Sequence, residues 1–181
     1  MRPDTHAIHS GRQDAGWSHV PSIDLSTTYK TGLLPEATAS IDAMAAGGEP
    51  DGSPIYQRLY NPTVARFEDA MAKLEKTSHA VAFGSGMAAI TALLLASKSG
   101  GGHVIAVRPM YGGTDHLLSS GLLGVRVTWC APHEISDMIE EDTSLILCET
   151  PANPTLALVD IQFIVAQAGS IPVAVDSTFA T

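Results

Sequence analysis

The chain has 181 residues, enough for one domain with a full hydrophobic core and too few for two of that kind. A hydrophobic share of 45% and a charged share of 16% describe a globular protein with much buried surface. Ten basic residues stand against nineteen acidic ones, a formal charge of −9. This balance excludes the concentrated basic face that nucleic acid requires, but it leaves room for a local anion pocket.

No apolar run reaches membrane-spanning length, and the opening MRPDTHAIHSG lacks the apolar core of a signal peptide. Residues 1 to about 60 are irregular and rich in Ser, Thr, Gly and Pro, with one predicted helix at 35–46. GGEPDGSP (47–54) has neither helical nor strand character. From residue 62 the pattern becomes regular. PTVARFEDAMAKLEK begins with Pro at a first helical position and repeats apolar residues at helical spacing. HAVAF is predicted as a buried strand and SGMAAITALLLASKS as a helix stopped by the glycines at 100–102. HVIAV follows as a strand, YGGTDHLLSSGLLG as a turn and helix, VRVTW as a strand, and EISDMIEE as a short helix. SLILC, DIQFIVAQAG and IPVAVD complete the alternation as strand, helix and strand. Five strands of continuous apolar residues separated by helices predict an α/β fold: an arm followed by a mostly parallel sheet with helices on both faces. Cys130 and Cys148 end apolar runs, so buried free thiols are expected, and with them a cytoplasmic location.

In such sheets ligands gather at the carboxyl ends of the strands, and the polar residues of interest fall there. FGSGMAAI joins the first predicted strand to its helix, and backbone N–H groups at a helix start suit a phosphate. Gly84, Gly86 and Ala89 also satisfy the dinucleotide pattern G-x-G-x-x-A. That pattern wants an acid about 20 residues on. The next strand instead ends in Arg108-Pro109-Met110, so only an NADP variant using Arg108 stays open. Upstream, PIYQRLYNPT sets Tyr56 and Arg58 two residues apart, on the same side of an extended segment, as a phenol–guanidinium pair for a phosphate dianion. Later strand ends bring Tyr111 in MYGGT, Glu149 and Asn153 in ETPANPT, a loop stiffened by two prolines, and Asp176 in DST. Phosphate donors, a flat aromatic, an amide and a carboxylate match a flat phosphorylated heteroaromatic cofactor better than a dinucleotide.

YQRLYNPT, SGMAA, YGGT, ETPANPT and VDST, in that order, resemble the pyridoxal-phosphate enzymes of cysteine and methionine metabolism. These include cystathionine γ-synthases, cystathionine γ- and β-lyases, methionine γ-lyases and O-acylhomoserine sulfhydrylases. The resemblance implies the first part of a fold-type I large domain, with residues 1–60 as an arm serving a neighbouring subunit's site and 61–181 as the start of the cofactor domain. It implies pyridoxal 5′-phosphate as cofactor and an amino-acid substrate undergoing β- or γ-elimination or replacement. Residue by residue, it implies that Ser85, Gly86 and Met87 hold the cofactor phosphate, with Tyr56 and Arg58 reaching the phosphate of a neighbouring subunit. Tyr111 would stack on the pyridine ring and act in catalysis by moving protons. Asn153 would bond near the phenolic oxygen, Asp176 would pair with the pyridine nitrogen, and Thr178 would support it.

Four departures qualify the match. Gly84 stands where a second Ser is common, and Ser177 where Asn is frequent. YGGT lacks the cysteine typical of many methionine γ-lyases, which counts against that activity. The largest departure concerns lysine. The family holds its cofactor as a Schiff base on a lysine in an S-x-T-K motif, yet this chain offers only Lys30, Lys73, Lys76 and Lys98, none at a strand end. The expectation is a chain inactive alone and completed by a second polypeptide carrying that lysine, in a dimer or tetramer of sites. A non-catalytic subunit of the same fold is the alternative.

Overall fold

A computed structural model of the chain describes residues 2–12 and 17–181. Residues 13–16 of the predicted irregular arm, and Met1, lie outside the described residues. Contacts divide the chain into two compact units, Met1–Ala82 and Phe83–Thr181.

The first unit carries helices α1 (Pro3–His9), α2 (Leu34–Ala45) and α3 (Pro62–Glu75). α3 starts where the sequence predicts. Pro62 occupies a position whose N–H would be unpaired in any case, and the Asn61 side chain accepts from the N–H groups of Thr63 (3.0 Å) and Val64 (3.2 Å). Long-range bonds tie the segment before α2 to this start: the Asp24 N–H donates to Thr63 Oγ1 at 2.8 Å, and Arg66 donates to the Ser22 carbonyl at 3.1 Å. A single antiparallel bridge joins Thr28 to Tyr56. α1 was not expected. Its seven residues show no apolar periodicity, and only Pro3 and Asp4 at its start signal a helix.

The second unit is built on a four-stranded parallel sheet of order β2-β1-β3-β4. The strands are β1 (His103–Val107), β2 (Arg126–Cys130), β3 (Thr143–Glu149) and β4 (Val173–Asp176), with helices α4 (Gly86–Ser97), α5 (Gly112–Ser119) and α6 (Ile161–Ala168). Successive side chains of a strand face opposite ways, and the core divides accordingly. Val104, Ala106, Leu145 and Leu147 pack with Leu94 of α4 and Leu118 of α5. Ile105, Val107, Ile146 and Cys148 pack with Ile135 and with Ile164 and Ala168 of α6. β1 and β3 are covered on both faces, which is why they read as unbroken apolar runs.

Two predicted elements differ. HAVAF has no regular secondary structure and pairs with no strand among the described residues, and Val81 and Phe83 are 71% and 47% exposed. Apolar composition marks a segment suited to burial, whereas a strand also needs a neighbour's hydrogen bonds, and β1–β4 pair only among themselves. The sheet therefore has four strands, not five. EISDMIEE forms a 3-10 turn, Pro132–Met138, rather than an α-helix.

The amino edge of the sheet is closed by polar bonds. Buried His103 uses both ring nitrogens, toward Thr143 Oγ1 (2.7 Å) and Thr128 Oγ1 (2.9 Å), linking β1 to both neighbours. His103, Glu140 and Asp142 converge there, but Arg126 bridges both carboxylates at 2.7 Å and supplies the positive charge. No described helix is long and apolar enough to cross a membrane.

Cys130 and Cys148 are free and buried, as expected. Burial pushes both thiols up from 9.0 to about 11, with the Glu134 charge adding to the effect at Cys130. Between those values the folded thiols stay protonated while unfolded ones ionise, so stability should be unaffected below pH 9 and fall as pH rises toward 11. At pH 8, iodoacetamide should modify the folded protein about 100-fold more slowly than the denatured one. Rapid alkylation without denaturant would contradict the burial of both thiols.

Candidate functional site

The carboxyl edge of the sheet is the open one. β1 runs through Arg108-Pro109-Met110 into Tyr111, which caps α5. β3 ends at Glu149, and its in-register neighbour on β4 is Asp176. Together with the start of α4 these ends enclose a cleft of about 280 Å³. Of the nine residues singled out in the sequence, seven line it: Ser85, Gly86, Met87, Tyr111, Asn153, Asp176 and Thr178. Ile90, Glu149 and Phe179 complete the wall. Tyr56 and Arg58 belong to the first unit, where exposed Arg58 lies over the Tyr56 ring at 4.7 Å from its centre.

At the start of α4, Ser85 Oγ accepts from the Ala88 N–H at 3.2 Å, and the Ser85 carbonyl accepts from Ala89 at 3.1 Å. The N–H groups of Gly86 and Met87 have no acceptor among the described residues. Two uncommitted donors at a helix N-terminus, with the helix dipole behind them, attract an anion. In the same cleft Asp176 is half-buried, and Thr178 holds one of its oxygens. Oδ1 accepts from the Thr178 N–H (3.0 Å) and from its hydroxyl (2.5 Å). Oδ2 has no hydrogen bond among the described residues. A carboxylate with one fixed and one open oxygen can hold a proton on a ligand atom.

Tyr111 is 44% exposed. Its ring leans over Gly113: a Cβ there would stand 2.5 Å from Tyr111 Cε1 and 3.2 Å from Met87 Sδ. The second glycine of YGGT thus makes room for the tyrosine ring. Glu149 is the residue whose place in the site was missed. The sequence marks it only as an acid beside a proline, yet it is 4% exposed and accepts the N–H groups of both Tyr111 and Asn153.

Arg108, on which an NADP reading depends, is already engaged. It donates to both Asp115 oxygens (2.7 and 3.0 Å) and lies 3.8 Å from the centre of the Trp129 ring. The guanidinium in turn holds the Asp115 carboxyl below its usual range.

Free helix N–H donors and a carboxylate with an open oxygen, lining one cleft at the carboxyl edge of a parallel sheet, are the arrangement in which α/β domains bind ligands. The chain belongs to the Cys/Met metabolism PLP-dependent enzymes, whose family model matches residues 4–181, and pyridoxal 5′-phosphate is accordingly the cofactor. It is 53% identical to the L-methionine gamma-lyase of Streptomyces avermitilis over 182 residues, covering 98% of this chain and 44% of that protein. It is 51% identical to the enzyme of the same name from Brevibacterium sandarakinum, covering 100% and 47%. Among solved structures, cystathionine gamma-lyase from Lactobacillus plantarum superposes with a TM-score of 0.80 at 29% identity, covering 100% of this chain and 46% of that one. The fold is that of the fold-type I enzymes, and the chain spans less than half the length of the relatives it matches.

In a Gly113→Ala variant the new methyl should displace the Tyr111 ring while leaving the sheet unchanged. Loss of ring-proton contacts between Tyr111 and Met87 in NMR spectra would report this. Unchanged contacts would mean that the glycine has no part in placing the ring.

Proposed function

We propose that this chain forms the cofactor-holding part of a carbon–sulfur lyase acting on a sulfur amino acid, with γ-elimination of methionine as the leading activity. One observation carries the reading. In a chain 53% identical to a methionine gamma-lyase, two free helix N–H groups, an aromatic ring and an open carboxylate oxygen meet in one cleft. That donor set fits pyridoxal phosphate. The lack of a cysteine in YGGT weighs less than this identity, and the engaged Arg108 speaks against the dinucleotide alternative.

When bound, pyridoxal phosphate supplies an electron sink for charge developing at the substrate's α-carbon. The N–H groups of Gly86 and Met87, with Ser85 shaping the turn, hold the phosphate. Asp176 Oδ2 holds a proton at the pyridine nitrogen, and Thr178 keeps Oδ1 occupied so that Oδ2 remains the free acceptor. The Asn153 side chain bonds near the phenolic oxygen. Tyr111 covers the ring face, and its hydroxyl passes a proton to the departing sulfur. Tyr56 and Arg58 serve the phosphate in the site of a neighbouring copy.

No lysine lines the cleft among the described residues. Lys98 alone among residues 83–181 is a lysine, and it sits at the far end of α4 from Ser85, donating to the Leu123 carbonyl at 3.0 Å. We assign the missing lysine and the substrate-carboxylate site to further polypeptide, supplied by a complementing chain or by continuation of this one. Its setting in our reading is the cytoplasm, where two buried free thiols persist.

The test is to prepare the chain with that further polypeptide and pyridoxal phosphate. A yellow protein that borohydride traps on a lysine outside these residues, and that converts methionine and water to methanethiol, 2-oxobutanoate and ammonia, is the expected result. Asp176→Ala should lower turnover by about 10²-fold or more while cofactor content changes little. A protein that stays colourless, or binds NADP through Arg108 instead, would sink the proposal.

A further inference from the structure

Glu149 closes β3 and is almost wholly buried, yet no cation pairs with it among the described residues. Its two oxygens have divided duties. Oε2 accepts the Tyr111 N–H, 38 residues away in sequence, and Oε1 accepts the Asn153 N–H at 2.8 Å. The first belongs to the turn that enters α5, the second to the turn that follows β3 itself. These turns carry the two side chains that face the cleft from neighbouring strand ends, the Tyr111 ring and the Asn153 amide.

We propose that Glu149 is a positioning residue that fixes the separation of Tyr111 and Asn153 by clamping both backbones to the end of β3. The clamp explains why a carboxylate is buried without a counter-charge: two main-chain donors satisfy it, and those charge-assisted bonds offset its desolvation. It also explains why this acid is glutamate. Glutamine of the same shape offers one acceptor oxygen, so its NH2 group would face one of the two N–H donors. Aspartate is one methylene shorter and cannot span both turns from the same strand position. Glu149 acts through the residues it holds. The inference rests on reading the cleft as the cofactor site, but its consequence for the two backbone amides does not.

The test compares Glu149→Gln, Glu149→Asp and Glu149→Ala with the unchanged protein in the complete assembly, with and without pyridoxal phosphate. Amide hydrogen exchange is followed at Tyr111 and Asn153, with Ile105 and Ile146 of the sheet as internal controls. Both loop amides should exchange about tenfold or more faster in the alanine variant, while the strand amides stay as protected as before. The glutamine variant should release one of the two amides and spare the other. In the cofactor-loaded protein, visible circular dichroism of the bound ring should fall at unchanged cofactor content.

Protection of Tyr111 and Asn153 at the original level in all three variants would overturn the proposal. So would a uniform acceleration that includes Ile105 and Ile146, or failure of both the alanine and glutamine variants to fold, since either outcome assigns Glu149 to general stability. Exchange in the cofactor-free protein bears on Glu149 alone. Failure to bind pyridoxal phosphate would remove the proposed function and leave the exchange result standing.

Discussion

Coverage of β1 and β3 on both faces is the constraint from which the rest of the second unit follows. With α4 and α5 on one side and α6 and the Pro132–Met138 turn on the other, neither strand can carry a polar side chain in its middle. Polar chemistry is displaced to the strand ends. The two edges then diverge. At the amino edge His103 is saturated by Thr128 and Thr143, and Arg126 neutralises Glu140 and Asp142. At the carboxyl edge Gly86, Met87 and Asp176 keep donors and an acceptor in reserve. A satisfied edge holds strands together, and an unsatisfied one can receive a ligand.

Much of this arrangement was legible in the sequence because each signal was local. The alternation of apolar strands and helices predicted the parallel sheet, and Asn61-Pro62 marked the start of α3 to the residue. Of the seven cleft residues, Gly86, Tyr111, Asn153 and Asp176 stand out because strand ends and helix starts can be located in the sequence, whereas Ser85, Met87 and Thr178 come from the resemblance. What failed was non-local. HAVAF has the composition of a strand, but composition does not name a partner, and none of the four strands pairs with it. The clamp at Glu149 joins residues 38 positions apart, and nothing near Glu149 in sequence points to Tyr111. His103 was hidden in the same way, as a polar first letter in an apolar strand whose partners lie 25 and 40 residues away.

The division into two units sorts the phosphate-seeking groups as well. Tyr56 and Arg58 occupy a unit with a different local logic, a helix start stitched to an extended segment by side-chain bonds rather than a sheet edge. Their residue types suggest a phosphate pair, and the resemblance implies that they serve a neighbouring subunit's site. The cleft itself can be described entirely within residues 83–181. Its helix donors and its carboxylate therefore lie together within one unit.

Glu149 and Asp176 make the sharper comparison, since they are register partners on adjacent strands and both are acids on the cleft wall. Their environments assign them opposite duties. Glu149 accepts one backbone N–H on each oxygen and is 4% exposed, so it is turned to the chain rather than to solvent. Asp176 has spent one on Thr178, a residue only two positions further on, and keeps the other open. The extra methylene of glutamate lets it span two turns, whereas the shorter aspartate is steadied by its own loop and points outward. The two acids on this edge are thus told apart by burial and by how the chain engages them, with one N–H on each oxygen of Glu149 and both bonds on a single oxygen of half-buried Asp176.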